Sequence, residues 1–413
     1  MSQVRDDAAP HALRAAALVI AAGVVAALHL GKLPPAIPAL QQALGVTLVQ
    51  AGFLLSLVQL AGMSLGLAFG VLADGLGYRR SMLGGLALLT LASAFGGGAS
   101  GVPALMLLRA LEGLGFLLVV LPAPGLLRQL VSPAQLARTM GTWGAYMPLG
   151  VATALLLGPL VIETLGWRAW WWALALLSAA MALALWHGVP DPGGGTGPRP
   201  ATLLPWAQRL RLTLRAPGPW LLALSFACYS GQWLAVIGFL PTVYRDAGMA
   251  PALGGVLTAI VAGVNIGGNI GSGWLLHHGW TPPRLLALGF VVAGLGTVLA
   301  FAALGQPAWL RYAAVLMFSL VGGLIPGTLF ALVVQAAPGE HTLSSTVGWM
   351  QQWSSIGQFS GPPLVAWLAD AAGGWQYTWL ATGASSLLGL WLMTRIARLL
   401  ATRAATHSAG RTD

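Results

Sequence analysis

The chain has 413 residues, of which 57% are hydrophobic and only 7% are charged, with a formal net charge of +10. A soluble domain carries about 25% charged residues because its surface must be hydrated, so this composition excludes a water-soluble globular fold and indicates a membrane protein. The basic residues are dispersed between apolar segments, which argues against nucleic acid as a partner. The single Cys228 excludes a disulfide framework and a cysteine-based metal site.

Apolar runs long enough to cross a bilayer, about 20 residues each, occur at twelve places along the chain. We name them spans 1 to 12 and predict helices over residues 13–33, 48–72, 81–99, 103–127, 139–163, 169–189, 218–240, 251–276, 285–303, 309–335, 344–370 and 377–397. The sequence therefore predicts an all-α membrane protein with twelve transmembrane helices.

The spans fall into two sets of six, separated by a polar and glycine-rich linker. We expect one half over residues 1–189, a linker over 190–217, and a second half with a short tail over 218–413. Within the linker, Trp206 and several leucines alternate with arginines. This pattern predicts a short amphipathic segment on an anionic membrane surface.

The distribution of basic residues predicts the orientation. With the N-terminus inside, 15 of the 20 basic residues fall in segments that face the cytoplasm. The other five are Lys32, Arg109, Arg168, Arg245 and Arg311. Because cytoplasmic loops are enriched in Lys and Arg, we expect both termini in the cytoplasm. Nineteen of the 20 basic residues are Arg, which indicates a GC-rich bacterial genome and hence the inner membrane.

The two halves share motifs. Leu121-Pro122 in span 4 matches Ile325-Pro326 in span 10, and Gly158-Pro159 in span 5 matches Gly361-Pro362 in span 11. Both Pro122 and Pro326 predict helix kinks at matching depths. Parallel repeats of this kind occur in secondary transporters, whose substrate site lies between the halves at the bilayer midplane.

Two motifs carry a family resemblance. The loop after span 2 reads GVLADGLGYRR over residues 70–80, and span 4 contains RALEGLG over residues 109–115. These segments resemble the signature loop and the second motif of the Major Facilitator Superfamily, and the resemblance covers essentially the whole chain. It implies a transporter that alternates access around a site between two six-helix halves, and it implies no enzyme activity.

The signature loop predicts a gate. Gly70 and Gly77 allow close helix contact and a tight turn, while Asp74 and Arg79 can pair in one conformation and separate in another. Arg79 and Arg80 alternatively serve only to fix the topology. The loop departs from the family pattern, since Gly75 and Tyr78 stand at usually basic positions. Its counterpart at residues 273–279 has no acid, so we expect the first loop to do most of the gating.

Charges at membrane depth are costly and therefore mark candidate sites. Arg109 and Glu112 share a helix face at a spacing of three and can form an intrahelical pair, which is either functional or a self-neutralised packing element. Lys32 at the end of span 1 either snorkels to the outer interface or faces the cavity. The excess of cations over the one deep acid favours an anionic substrate.

Uncharged polar and aromatic side chains complete the expected substrate cavity, although packing explains each of them equally well. These candidates are Gln59, Tyr146, Tyr229, Gln232, Asn265, Asn269, Trp349, Gln352 and Trp353. His277-His278 has no acid or thiolate at ligand spacing, so we expect no metal site. No Walker-type loop is present, so we expect no nucleotide cofactor and no ATP-driven transport.

The sequence therefore predicts a monomeric secondary active transporter for a small anion or polar organic compound, with possible proton coupling through Glu112. The segment over residues 31–38, together with Gly357-Gln358 and Gly361-Pro362-Pro363, loosely resembles uptake carriers of the cyanate and nitrate type. The alternative is proton-driven efflux of a hydrophobic compound. The Gly-Pro of span 5 matches the antiporter motif of drug exporters only in part.

Overall fold

A computed structural model describes residues 3–64, 77–190, 205–302 and 305–409, and every regular element in these ranges is helical. Eight helices in these ranges are long and apolar enough to cross a membrane. Helices occupy the positions of all twelve predicted spans: Gln3–Gly31, Leu48–Ser64, Tyr78–Gly97, Val102–Leu130, Tyr146–Gly188 for spans 5 and 6 together, Pro217–Asp246, Pro251–His277, Pro282–Phe301, Ala308–Ala336, Leu343–Ala371 and Thr378–Ala409. The linker contains a further helix, Trp206–Arg215.

Spans 5 and 6 meet at a single residue and are not separated by a loop. The helix Tyr146–Gly188 contains one non-helical residue, Gly166, with φ 85° and ψ 163°. An L-amino acid with a side chain is strongly disfavoured in this region, so glycine permits the change of direction. A second helix, Pro133–Trp143, precedes the pair, so span 5 begins after a break at Gly144.

Three spans are interrupted at or near prolines. Span 1 ends at Gly31 and is followed by a 3₁₀ turn at Pro34–Ala36, because Pro34 and Pro35 lack the backbone N–H that would continue the helix. Span 4 is interrupted at Leu121-Pro122, as predicted. In span 10 the interruption falls at Gly323, three residues before Pro326.

The chain packs into two compact units. The first comprises Met1–Pro198 and Ile237–Ala262, and the second comprises Arg199–Val236 and Gly263–Asp413. The end of span 7 and the beginning of span 8 thus belong to the first unit, where Arg245 donates a hydrogen bond to Gln41 at 3.3 Å. The half boundaries expected at residues 189 and 218 stay a prediction.

Close helix contacts depend on glycine at particular positions. A Cβ added to Gly113 in span 4 would lie 2.3 Å from the carbonyl oxygen of Val58 in span 2. In the second unit, a Cβ on Gly361 in span 11 would lie 2.3 Å from the carbonyl oxygen of Gly231 in span 7. Small residues let membrane helices approach to backbone contact, where van der Waals packing is the main attraction.

Candidate functional site

The three charges that the sequence locates at membrane depth form one buried cluster in the first unit. Lys32, Arg109 and Glu112 are each 0% exposed, and Glu112 is the only acid among the buried side chains that the structure describes. Span 1 contributes the lysine and span 4 contributes the other two. One carboxylate therefore pairs with two cations that come from different helices.

Lys32 is held by four elements. Its Nζ donates to Glu112 Oε1 and to Ser93 Oγ of span 3 at 3.0 Å, and it lies 3.5 Å from His29 Nδ1. The ammonium also lies 4.6 Å from the ring centroid of the fully buried Trp171 on span 6. Lys32 is fully buried and does not snorkel to the outer interface, and that it faces a substrate cavity stays a prediction.

Arg109 connects spans 1, 2 and 4. Its Nη1 donates to Glu112 Oε2 at 2.6 Å and to the carbonyl oxygen of His29 at 2.7 Å, while its Nε donates to the carbonyl oxygen of Leu54 at 3.1 Å. The intrahelical pair expected from the spacing of three is thus present. The remaining nitrogen, Nη2, has no hydrogen-bond partner among the described residues.

His29 is a member of the cluster that our sequence reasoning missed. Its Nε2 and Ser178 Oγ of span 6 are 2.8 Å apart, and its Nδ1 lies 3.8 Å from Glu112 Oε1. A signal was available, because His29 and Lys32 are three residues apart on one helix and so share a face. The partners Ser93 and Ser178 could not be predicted in this way, since both are ordinary small residues of a transmembrane helix.

The break at the end of span 1 lies next to the cluster and is held by hydrogen bonds. Ala36 and Ile37 both bond to the carbonyl oxygen of Leu33, and the indole Nε1 of Trp170 donates to the carbonyl oxygen of Lys32 at 3.2 Å. Within a bilayer every backbone polar group needs a partner inside the protein. Span 6 thereby satisfies the backbone where the prolines end span 1, and it fixes the position of Lys32.

The stability of the cluster depends on each of its charged members. With Lys32, Arg109 and Glu112 ionised, its formal charge is +1 in a place without solvent. Removal of one partner from a buried ion pair costs about 3–5 kcal/mol, because the other charge is left uncompensated. The role of these residues in a substrate cavity stays a prediction, since their side chains are enclosed within the first unit.

In the second unit the structure brings together three of the predicted polar residues. Asn265 Nδ2 donates to Tyr229 Oη at 2.7 Å and to the carbonyl oxygen of Ser319 at 2.8 Å. Asn269 Nδ2 donates to Asn265 Oδ1 at 3.0 Å. This network joins spans 7, 8 and 10.

The aromatic candidates of span 11 form a cluster with a residue that the sequence did not single out. The rings of Trp349 and Trp353 lie 4.8 Å and 5.6 Å from that of Trp220 at the start of span 7, all at steep angles. Gln352, which precedes Trp353 in the sequence, is half-buried. Edge-to-face packing of this kind stabilises the contact between spans 7 and 11.

The remaining candidates are Gln59, Tyr146 and Gln232. Gln59 is buried in a 3₁₀ turn of span 2, and Tyr146 stacks on Trp143 with ring centroids 4.2 Å apart. Gln232 is buried in span 7. In the described ranges no three residues among His, Cys, Asp and Glu are grouped so that they could hold a metal ion.

Part of the gating loop can be described. Gly70 and Asp74 lie outside the described residues, and the Asp74–Arg79 pairing stays a prediction. Gly77 has φ 84° before span 3, which agrees with the predicted tight turn. Arg79 donates to the carbonyl oxygen of Trp186 at the end of span 6 and lies over its ring at 5.2 Å, whereas Arg80 is exposed.

Comparison with known proteins identifies the class. The model of the Major Facilitator Superfamily matches residues 19–359, which is most of the chain, so this protein belongs to that superfamily. It is therefore a multi-pass membrane transporter and not an enzyme. The all-α fold of twelve transmembrane helices in two six-helix halves is confirmed.

Several curated relatives have names that refer to export of, or resistance to, antibiotics. The chain is 29% identical to the cephamycin export protein CmcT of Amycolatopsis lactamdurans over 72% of its length and 59% of that protein. It is 33% identical to the puromycin resistance protein pur8 of Streptomyces alboniger over 36% of its length and 29% of that protein. The matches to E. coli K12 include an uncharacterized transporter, YgaY, 33% identical over 34% of this chain and 36% of that protein. The matched regions span about a third to three fifths of these relatives.

A solved structure supports the fold over nearly the whole chain. The bacterial homolog of the human lysosomal transporter Spinster superposes with a TM-score of 0.77 and 16% identity, covering 96% of each chain. At this identity the likeness concerns the fold alone. The resemblance to cyanate and nitrate carriers is not confirmed by these comparisons.

Proposed function

We propose that this transporter exports an uncharged or weakly polar organic compound across the bacterial inner membrane in exchange for protons. The buried cluster of His29, Lys32, Arg109 and Glu112 is the proposed coupling site. The observation that carries this proposal is the convergence of two cations from spans 1 and 4 on the single carboxylate of Glu112.

Protonation of Glu112 would change the stability of this arrangement. The neutral carboxyl group would leave Lys32 and Arg109 as two buried cations without a counterion, which is costly in a medium of low dielectric constant. A conformation in which one of them reaches water is then favoured. Because Lys32 and Glu112 are on different spans, a helix movement can separate them, and a proton can thereby shift the conformational equilibrium.

The direction of transport is supported by the relatives. A cephamycin export protein, a puromycin resistance protein and a chloramphenicol resistance protein of Pseudomonas aeruginosa all align with part of this chain. All three names refer to export of, or resistance to, an antibiotic. We therefore prefer export to the uptake that the loose resemblance to cyanate carriers indicated.

The proposal is tested by overexpression in a bacterial strain that lacks its own drug exporters, challenged with chloramphenicol, puromycin, tetracyclic polyketides and cyanate. Resistance to at least one organic compound supports export. The Glu112→Gln variant should return the strain to vector-level sensitivity, while Glu163→Gln, an exposed glutamate on span 5, should behave as wild type. Equal resistance in wild type and Glu112→Gln contradicts the proposed coupling.

Proton exchange is measured directly in inverted membrane vesicles that hold a pH gradient. Addition of the exported compound should collapse the gradient in wild type and Glu163→Gln vesicles but not in Glu112→Gln vesicles. Export without any change in the gradient would exclude proton coupling.

Uptake of a small anion is the second candidate, favoured by the net positive charge of the cluster and by the unpartnered Nη2 of Arg109. Under this alternative, overexpression sensitises the cell to cyanate. Lys32→Gln and Arg109→Gln should each abolish uptake at unchanged membrane expression, whereas the exposed Arg284→Gln should have no effect. Unchanged uptake in both cluster variants would eliminate the anion site.

A further inference from the structure

The second unit contains a cavity of about 250 Å³ between spans 7, 11 and 12. Its polar lining consists of Cys228, Gln232, Ser360, Thr382 and Ser385, together with the indole ring of Trp353. The other lining residues are glycine or aliphatic, and none of the residues that line it is charged. Such a wall excludes ions and accommodates a neutral, mostly apolar molecule.

One polar group in this wall lacks a partner. Gln232 is 3% exposed, and its Oε1 accepts a hydrogen bond from Ser386 Oγ at 3.1 Å. Its Nε2 has no hydrogen-bond partner among the described residues. A buried amide N–H without a partner is unfavourable, so an acceptor atom that reaches Nε2 would stabilise the protein.

The internal repeat relates two residues of the cavity wall to residues of the buried cluster in the first unit. The matching Gly-Pro pairs of the two halves begin at Gly158 and Gly361, which are 203 residues apart. His29 and Gln232 are also 203 residues apart, so they occupy equivalent positions in the repeat. His29 contacts Ser178 across spans 1 and 6, as Gln232 contacts Ser386 across spans 7 and 12. The residue that corresponds to Lys32 is Ala235, which lines the cavity. The second unit therefore has no counterpart of the long lysine side chain at this position.

From this geometry we propose that the cavity binds a neutral, largely apolar molecule with a hydrogen-bond acceptor, such as a ketone, ester or amide. Gln232 Nε2 donates to the acceptor oxygen, and the glycine and aliphatic wall encloses the apolar part. Gln232 lies near the middle of Pro217–Asp246, about 20 Å from either end at 1.5 Å per residue. This depth separates the site from phospholipid ester groups, which lie at the interface.

The cavity has an apolar entrance. Leu364 on span 11 and Leu388 on span 12 both line it, and they are 51% and 49% exposed. A neutral molecule can therefore enter without passing a charged group. The proposal stands independently of the direction of transport and of proton coupling, since every residue that it uses belongs to the second unit.

Benzophenone is a suitable probe because it is a neutral diaryl ketone and is itself photoreactive. Under ultraviolet light its excited carbonyl abstracts a hydrogen atom from a nearby C–H bond, and the two carbon radicals combine to form a C–C bond and a tertiary alcohol. The purified full-length protein in lipid nanodiscs is irradiated at increasing benzophenone concentration, and adducts are mapped by peptide mass spectrometry. Saturable adducts on residues that line the cavity are expected.

Two variants test the hydrogen bond and the volume. Gln232→Met removes the donor at similar size and should raise the half-saturating concentration about fivefold, the effect of one net hydrogen bond. Gln335→Met, at an exposed glutamine of the same unit, is the matched control and should leave it unchanged. Ala381→Leu fills the cavity and should abolish the saturable adducts.

Non-saturating adducts spread along the spans, or equal labelling of wild type and Ala381→Leu, would overturn the proposal and leave the cavity as a site for water alone. Equal half-saturation in wild type and Gln232→Met would overturn the donor role. Elution profile and far-UV circular dichroism establish that each variant is folded. If Gln232→Met does not fold, the wild-type map and Ala381→Leu still decide whether the cavity binds the ketone.

Discussion

Lys32 of span 1 and Glu112 of span 4 form a fully buried ion pair, although 80 residues separate them in the chain. The pair joins two helices at a depth where charged side chains are rare. Arg109 adds a second cation to the same carboxylate and bonds to carbonyl groups of spans 1 and 2. The packing of the first unit therefore depends on one acid.

Neutralisation of that acid should destabilise the protein. We expect Glu112→Gln to lower the free energy of unfolding by about 3 kcal/mol, because Lys32 and Arg109 then remain buried without a counterion. Thermal unfolding of purified protein in detergent, followed by tryptophan fluorescence, measures the effect. The exposed Glu163→Gln should unfold at the wild-type temperature, and an equal shift in both variants would contradict the reasoning.

The two charges of the pair should be coupled. Lys32→Met alone leaves Glu112 with Arg109 as its remaining cation, whereas the double variant Lys32→Met with Glu112→Gln contains neither member of the pair. We expect the double variant to be more stable than the sum of the single effects predicts, by about 1–3 kcal/mol. A double-mutant cycle of unfolding free energies provides this value. Additive effects would show that the two side chains do not interact.

The turn between spans 5 and 6 should not accept a side chain. Gly166 has φ 85°, and no neighbouring atom lies within 4 Å of an added Cβ, so the cost of Gly166→Ala is conformational. We expect a loss of about 1–3 kcal/mol. Gly84→Ala also meets open space, but within a regular helix, where alanine is favoured by up to about 1 kcal/mol. Opposite shifts in melting temperature are therefore expected, and a parallel loss in both would contradict the conformational argument.

The contact between spans 7 and 11 should be intolerant of even one methyl group. Gly361→Ala would bring Cβ within 2.3 Å of the backbone oxygen of Gly231, which cannot move without shifting the helix. Overpacking of this kind costs about 1–3 kcal/mol. Gly273→Ala in span 8 meets no atom within 4 Å and is the control. Membrane expression and melting temperature should fall for Gly361→Ala alone.

Hydropathy was sufficient to predict the helices, because a bilayer leaves the backbone few alternatives to a helix. The spacing of Arg109 and Glu112 was likewise sufficient to predict their pair, since it is local to one helix. The contacts of Lys32 with Ser93 and of His29 with Ser178 could not be predicted from the sequence, because they depend on how spans 1, 3 and 6 pack. The cavity at Gln232 was also missed, since it depends on how spans 7, 11 and 12 pack.

The assignment of Ile237–Ala262 to the first unit has a consequence for biosynthesis. A ribosome that has translated the first six spans and the linker has not yet supplied all residues of the first unit. That unit is completed only when Ala262 has entered the membrane, by which time residues 199–236 of the second unit are already present. Nascent chains of increasing length should therefore gain protease resistance in the first unit only after this residue leaves the translocon.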